Sequence, residues 1–321
     1  MQVCVTGANG FIGQYLVTAL LCQGQTVRVL TRKIANIFPD SVQVVIGDLT
    51  KPDCPLDQFM IGCDILFHCA GELHDEKTMR LLHVEGTKRL LEVVEREYAR
   101  TARKIHWVQL SSVGAYGPPI GGAKTARVVT ESTLTRPNNE YEISKTISDA
   151  LVTQAGKGDA MTYTILRPSN VFGSKMTNQS LRRLIQMVKW KLFFYVGKPG
   201  AITTYVHVND VVNALIVCGS NFRAIGQTYN LSSDCSLELL VKYIALCAGV
   251  KEPIIRIPQP LARVSAALIS GALSFWVRVP SINVLVFRTC YPADKIQSEL
   301  GFKFSSPMPD GVKDLVIEIT F

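Results

Sequence analysis

The sequence predicts an α/β chain: a doubly wound parallel sheet with helices on both faces, followed by a smaller, mainly helical C-terminal part. Three observations carry this. Short apolar runs of strand length alternate with helix-length amphipathic stretches through the first half of the chain. A glycine-spaced turn separates the first run from the first such stretch. After Arg167 the rhythm breaks, with longer loops and a proline-punctuated tail.

Each element has its own justification. QVCVTG reads as the first strand, and GFIGQYLVTALLCQG as a helix that stops at Gly24. TVRVLTR, VQVVIGD and DILFHCAG are the next three strands. Leu81, Leu82, Leu90, Leu91, Val93 and Val94 give apolar positions to one helix over roughly 78–99. KIHWVQLSS is the fifth strand and YTILRPSNVFG the sixth. The helix-sized gaps suit right-handed crossovers between parallel strands. Further on, TTYVHVNDVVNALIVC and GQTYNLSS read as one more sheet-like piece, with two helical patterns after about Asp234. The expected layout is one domain of residues 1–167 plus 203–233, and a smaller one of 168–202 plus 234–321.

Composition narrows the class. The 321 residues, 47% hydrophobic and 19% charged, exclude a disordered chain, a collagen-like one and a disulfide miniprotein. Net charge is +8, and it is local. No acid lies between Asp159 and Asp210, where Arg167, Lys175, Arg182, Arg183, Lys189, Lys191 and Lys198 stand. None lies between Glu252 and Asp294, where Arg256, Arg263, Arg278 and Arg288 stand. Such placement suggests anionic ligands or a membrane surface rather than nucleic acid. Nine cysteines without a Cys-x-x-Cys pair fit a reducing cytosol, and five scattered histidines argue against a metal site. The N-terminus runs straight into a strand, so no signal peptide is expected. Val264–Val277 is uncharged but too short to span a bilayer. It reads as a buried helix or pocket cover; the sharper reading is an interfacial helix, a peripheral membrane contact through 261–288.

Gly7, Asn9, Gly10, Phe11, Ile12 and Gly13 lie between the first strand and first helix. Glycines there permit a tight turn and close backbone approach, and the helix N-terminus offers free N–H groups to a pyrophosphate. This is the dinucleotide site of a Rossmann-type sheet. The second strand ends in Thr31 and Arg32, where an NAD-preferring site usually carries an acid. A guanidinium suits a 2′-phosphate, so NADP is the expected cofactor and NAD the alternative. Asp48 either accepts from an adenine amino group or starts the next turn.

Tyr141 and Lys145 are four residues apart, on one face of a helix. A lysine near a phenol favours phenolate and would bring the Tyr141 pKa down toward working pH. Tyr141 then becomes a proton shuttle for a substrate hydroxyl. Ser112, at the end of the fifth strand, could hydrogen-bond the same oxygen.

With these residues in place the chain resembles the extended short-chain dehydrogenase/reductases, specifically the NAD-dependent epimerase/dehydratase family. The resemblance runs through TGANGFIG, GDL, HCAG, VEGTKRLLE, LSSVGAYG, YEISK, LRPSNVFG, YVHVNDVVNAL and ELGF. It implies Ser112, Tyr141 and Lys145 as the catalytic set. It also implies Leu49, Cys69, Ala70, Gly71 and Pro168, with Tyr141 and Lys145, along the cofactor. Asn170, with Lys175 and Arg182 of the basic stretch, would meet nucleotide-sugar phosphates, and Ser112 would touch the sugar.

Three departures refine it. Dehydratases of the family carry an acidic pair where Val113 and Gly114 stand, so 4,6-dehydration is not expected. His83 replaces a usual asparagine, and Thr203 a phosphate-gripping arginine. The resemblance then implies 4-epimerisation or 4-ketoreduction of a UDP- or dTDP-hexose for surface polysaccharide synthesis, by a cytoplasmic homodimer, with the inner face of the membrane as the alternative location. Two alternatives stand: a membrane-associated dehydrogenase of steroid-like or lipid substrates, and a non-catalytic NADP-binding sensor.

Overall fold

A computed structural model describes residues 1–33, 37–119, 126–176, 179–262 and 285–320. Its main sheet contains β1 (Gln2–Thr6), β2 (Thr26–Thr31), β3 (Gln43–Ile46), β4 (Ile65–His68), β5 (Ile105–Leu110), β7 (Met161–Pro168) and β11 (Gln227–Leu231). The order is β11-β7-β5-β4-β1-β2-β3, with every pairing parallel. The two-residue strand period explains why both faces are buried. Val3 and Val5 join one apolar cluster with Leu16 and Leu20 of α1 (Phe11–Cys22) and Val211 and Leu215 of α7 (Val208–Ser220). Cys4, between those valines, joins the opposite cluster with Leu66, Trp107, Phe59 and Leu90.

Strand order reverses across β1, which has β2 on one side and β4 on the other. The carboxyl ends of these strands therefore open a crevice, where ligands of such sheets bind. A second sheet is formed by β8 (Asn170–Phe172), β10 (Ile202–His207) and β12 (Ser233–Ser236). Its apolar cluster gathers Phe172, Leu181, Ile185 and Val188 with Leu240, Ile244, Leu315 and Val316. Leu181, Ile185 and Val188 are one stripe of α6 (Ser180–Lys189), and Leu240 and Ile244 one stripe of α8 (Leu237–Cys247). Two short pairs complete the strands: β6 (Arg127–Val128) with β14 (Thr289–Cys290), and β9 (Tyr195–Val196) with β13 (Arg256–Ile257).

Three expectations needed correction. VNDVVNALIVC is helix α7 rather than sheet, because Val211, Ala214, Leu215 and Cys218 bury with helical spacing. Buried Asp210 anchors it by accepting from the Ser305 N–H at 2.6 Å and the Ser305 hydroxyl at 2.7 Å. The sixth strand breaks at Ser169, so that β7 stays in the main sheet and β8 joins the second. The helix expected over 78–99 is three pieces: α3 (Glu76–Arg80), a π-helical segment (Leu81–Gly86) and α4 (Thr87–Thr101). The π-helical segment carries His83, whose side chain is fully engaged. No helix among the described residues is long and apolar enough to cross a membrane. Val264–Val277 lies outside the described residues.

Candidate active site

The glycine turn is built for an anionic ligand at close quarters. Gly7 is left-handed at φ +68°, and a Cβ there would stand 2.6 Å from the Cys69 carbonyl carbon. A Cβ on Gly13 would stand 2.2 Å from the Gly7 oxygen. Helix α1 starts after Gly10 with no side-chain cap and no acid in its first turn, so its first N–H groups remain for a phosphate. Asn9 donates to the Thr31 hydroxyl at 2.5 Å, while its own Oδ1 is buried without a partner. An orphaned acceptor beside an uncapped helix end fits a dinucleotide. Phe11 and Ile12 continue the turn, Phe11 edge-on to Tyr15. Arg32 is exposed just past β2. Asp48 accepts from the Thr50 N–H and hydroxyl at 2.9 and 2.8 Å, which makes it a turn-former, with Leu49 buried beside it.

Across the crevice, the loop after β4 brings Cys69, Ala70 and Gly71 against the turn. The Ala70 N–H donates to the Thr6 hydroxyl at 3.2 Å. Burial pushes the Cys69 thiol up to about 12, so it packs as a neutral side chain. Pro168 is buried at the end of β7.

The reactive side chains come from β5 and α5 (Glu140–Ala155). Asn139 caps α5 by accepting from the Glu142 N–H at 2.9 Å, which fixes the helix start one residue before Tyr141. Ser112 begins the turn after β5 and accepts from the Gly114 N–H at 3.1 Å. Ser112 and Tyr141 line the same cavity, and Ser112 pulls the Tyr141 phenol pKa downward. Lys145 is buried one turn further along and donates to the Leu110 carbonyl at 2.5 Å. Ser112 and Tyr141 thus line one cavity, with Lys145 one helical turn behind Tyr141.

The expected lowering of the Tyr141 pKa does not appear. Burial pushes the phenol up to about 12, against a smaller downward pull from Ser112. The Lys145 ammonium points at a backbone carbonyl, and its own pKa is lowered by burial. Tyr141 is therefore a protonated acid at neutral pH.

The sequence pointed to one of two supports only as a departure from pattern, and not to the other. Asp149 accepts from the Ser111 hydroxyl at 2.7 Å and from Arg167 Nε and Nη2 at 3.2 and 3.0 Å, a buried pair directly behind the Lys145 turn. His83 bonds on both ring nitrogens within the site. Asp149 lies four residues past Lys145, a helical spacing that could have signalled it. His83 gave a signal only as a departure from family pattern.

A cavity of about 820 Å³ runs outward from Ser112 and Tyr141. Asn170, Ser180, Arg183 and Thr204 line its polar part; Leu184, Met187, Phe193, Ile202 and Phe287 line its apolar part. Asn170 donates to the Thr204 carbonyl at 3.0 Å. Thr203, in the position expected of an arginine, also faces this cavity and donates to the Cys235 carbonyl.

Two residues expected to bind substrate do not line this cavity. Arg182 spends its guanidinium on Glu318 and the Ser174 carbonyl. Lys175 lines a separate depression beside α1, with Tyr15, Phe38 and Asn209. The same holds for much of the basic stretch: Arg167 is paired inside the fold, and Lys189 donates to the Ile319 carbonyl. Among the described residues lining the cavity, Arg183 is the cation. Counting charges along a stretch does not reveal which ones the fold has already neutralised.

Residues 3–232 match the family described as "NAD dependent epimerase/dehydratase family". A 4-hydroxy-2-methyl-3-oxo-4-farnesyl-3,4-dihydroquinoline-1-oxide ketoreductase of Stigmatella aurantiaca is 28% identical over 317 residues, 94% of this chain and 92% of its own length. A 3 beta-hydroxysteroid dehydrogenase/Delta 5-->4-isomerase of Mycobacterium tuberculosis is 25% identical, covering 82% of this chain and 73% of its own. In three dimensions the chain is similar to UDP-glucuronic acid 4-epimerase from Bacillus cereus in complex with NAD. The TM-score is 0.74 at 18% identity, covering 99% of this chain and 96% of that one. At that identity the likeness is one of fold.

Proposed function

The chain belongs to the NAD-dependent epimerase/dehydratase family, NAD(P)-dependent enzymes of the extended short-chain dehydrogenase type, and we propose that it exchanges a hydride at C4 of a nucleotide-activated hexose, as a 4-ketoreductase or 4-epimerase. The observation that supports the chemistry is that Ser112 and Tyr141 line one cavity, with Lys145 one helical turn behind Tyr141 and bonded to the end of β5. A bound nicotinamide cofactor supplies the hydride chemistry. Gly7, Gly10, Gly13 and the α1 N-terminus would hold its pyrophosphate, and Arg32 supports NADP through a 2′-phosphate. Ser112 donates to the C4 oxygen and holds it against Tyr141. Tyr141, protonated at neutral pH, gives its proton to that oxygen in reduction and takes it back in oxidation. Lys145, whose charged form Asp149 favours against its own burial, would turn from the Leu110 carbonyl to hold the cofactor ribose beside Tyr141. Asn170, Ser180 and Arg183 support the sugar-nucleotide reading, because an anion needs donors at the polar part of the cavity.

A second reading is favoured by the apolar wall and by the two relatives named above: reduction of a carbonyl on a large apolar molecule. One experiment separates them. UDP-4-keto sugars and apolar ring ketones are offered with NADPH and with NADH, and products are identified by NMR. Turnover of a UDP-4-keto sugar supports the first reading. Turnover confined to apolar ketones replaces it with the second, and no cofactor oxidation with either class leaves a binding protein.

A further inference from the structure

His83 is buried in the π-helical segment and touches both halves of the site. Its Nε2 accepts from the Glu72 N–H at 2.9 Å, which puts the ring proton on Nδ1. Nδ1–H then donates to the Ser144 hydroxyl at 2.8 Å, and that hydroxyl donates onward to the Glu140 carbonyl at 2.7 Å. The ring also meets Tyr141 edge-on, with centroids 5.7 Å apart. Glu72 belongs to the loop that begins at Cys69 and packs on Gly7. Ser144 and Glu140 flank Tyr141 on α5. The imidazole therefore spans from the cofactor wall to the catalytic helix.

We infer that His83 is a positioning residue with two separable arms, one setting the cofactor loop at Glu72 and the other setting Tyr141 through Ser144. This rests on the reading of Tyr141 as the proton donor and of residues 69–72 as a cofactor wall. The chain Glu72 N–H, Nε2, Nδ1–H, Ser144, Glu140 has one direction and no spare donor. Removing either end orphans a group that the fold has buried, at a cost of about fivefold in the property that end controls, the worth of one neutral hydrogen bond.

Isosteric amides separate the arms. An asparagine nitrogen reproduces Nδ1 and keeps the Ser144 bond; a glutamine oxygen reproduces Nε2 and keeps the Glu72 bond. The experiment compares the full-length wild type, His83→Asn, His83→Gln and Ser144→Ala. NADPH affinity is measured by calorimetry without substrate, and kcat with the best carbonyl substrate. His83→Asn is expected to weaken NADPH binding about fivefold and to slow kcat less than that. His83→Gln and Ser144→Ala are expected to slow kcat about fivefold and to weaken binding less. Equal losses in both measurements across the three variants, or no loss in any, would overturn the two-arm role. Tyr141→Phe is run alongside; normal turnover in it would sink the underlying reading of Tyr141 instead, so the two failures are distinguishable.

Discussion

The dinucleotide turn and the cavity that Tyr141 lines are specified in different ways. The turn is specified by atoms that must be missing. Gly7 and Gly13 face backbone at 2.6 and 2.2 Å, so any side chain there collides with chain that cannot retreat. The cavity is specified by side chains that are present and replaceable: Leu184, Met187 and Phe193 beside Asn170 and Arg183. A site built on exclusions admits few sequences. One built on linings admits many, and its ligand is correspondingly harder to read.

The strongest way to break the comparison is at the residue the two regions share. Tyr141→Phe removes the proton donor without disturbing the turn. Turnover should fall by about 10² to 10⁴, while NADPH affinity measured by calorimetry stays close to wild type.

On the exclusion side, Gly13→Ala forces a methyl into the Gly7 carbonyl. It should weaken cofactor binding by more than about tenfold and lower the melting temperature, consistent with overpacking costs of about 1–3 kcal/mol. Gly10 makes a sharp control, since its nearest neighbour to an added Cβ is 3.1 Å away. Gly10→Ala should cost less on both measurements.

On the lining side, Arg183→Ala should raise KM for a UDP-sugar about tenfold, the worth of a charge-assisted hydrogen bond. With an apolar ketone, steady-state kinetics should register little change. An equal rise for both would mean that Arg183 supports the wall rather than a phosphate.

The pH dependence carries a sign that follows from burial. Tyr141 is raised to about 12, so its acid form persists through pH 6–9. Reduction should be nearly flat over that range. Oxidation needs the proton removed from the substrate hydroxyl by a deprotonated Tyr141, and should rise with pH by up to about tenfold per unit. Matching profiles in the two directions would place the proton transfer on another group.

What could be read from sequence follows the same division. Gly7, Gly10 and Gly13 were legible because they stand in order at one junction, and the Tyr141–Lys145 pair because a helix brings i and i+4 together. The Asp149–Arg167 pair, the partner of His83 and the neutralisation of Arg182 were not, because each is decided by a partner far away in the chain: 18, 61 and 136 residues, respectively. The 208–220 segment misled for a different reason. Its valines satisfy a strand pattern locally, and only Asp210 reaching Ser305 and the burial of one helical stripe select the helix.

The central claim, hydride exchange at C4 of a nucleotide-activated hexose, is tested most directly by following the hydride itself. NADPH deuterated at the transferring position is mixed with a UDP-4-keto hexose and the full-length enzyme, and the product is examined by NMR. Deuterium is expected on C4 of the hexose, appearing about 10² to 10⁴ more slowly when Tyr141→Phe replaces wild type. Deuterium reaching only an apolar ketone, with the UDP-sugar unchanged, would contradict it.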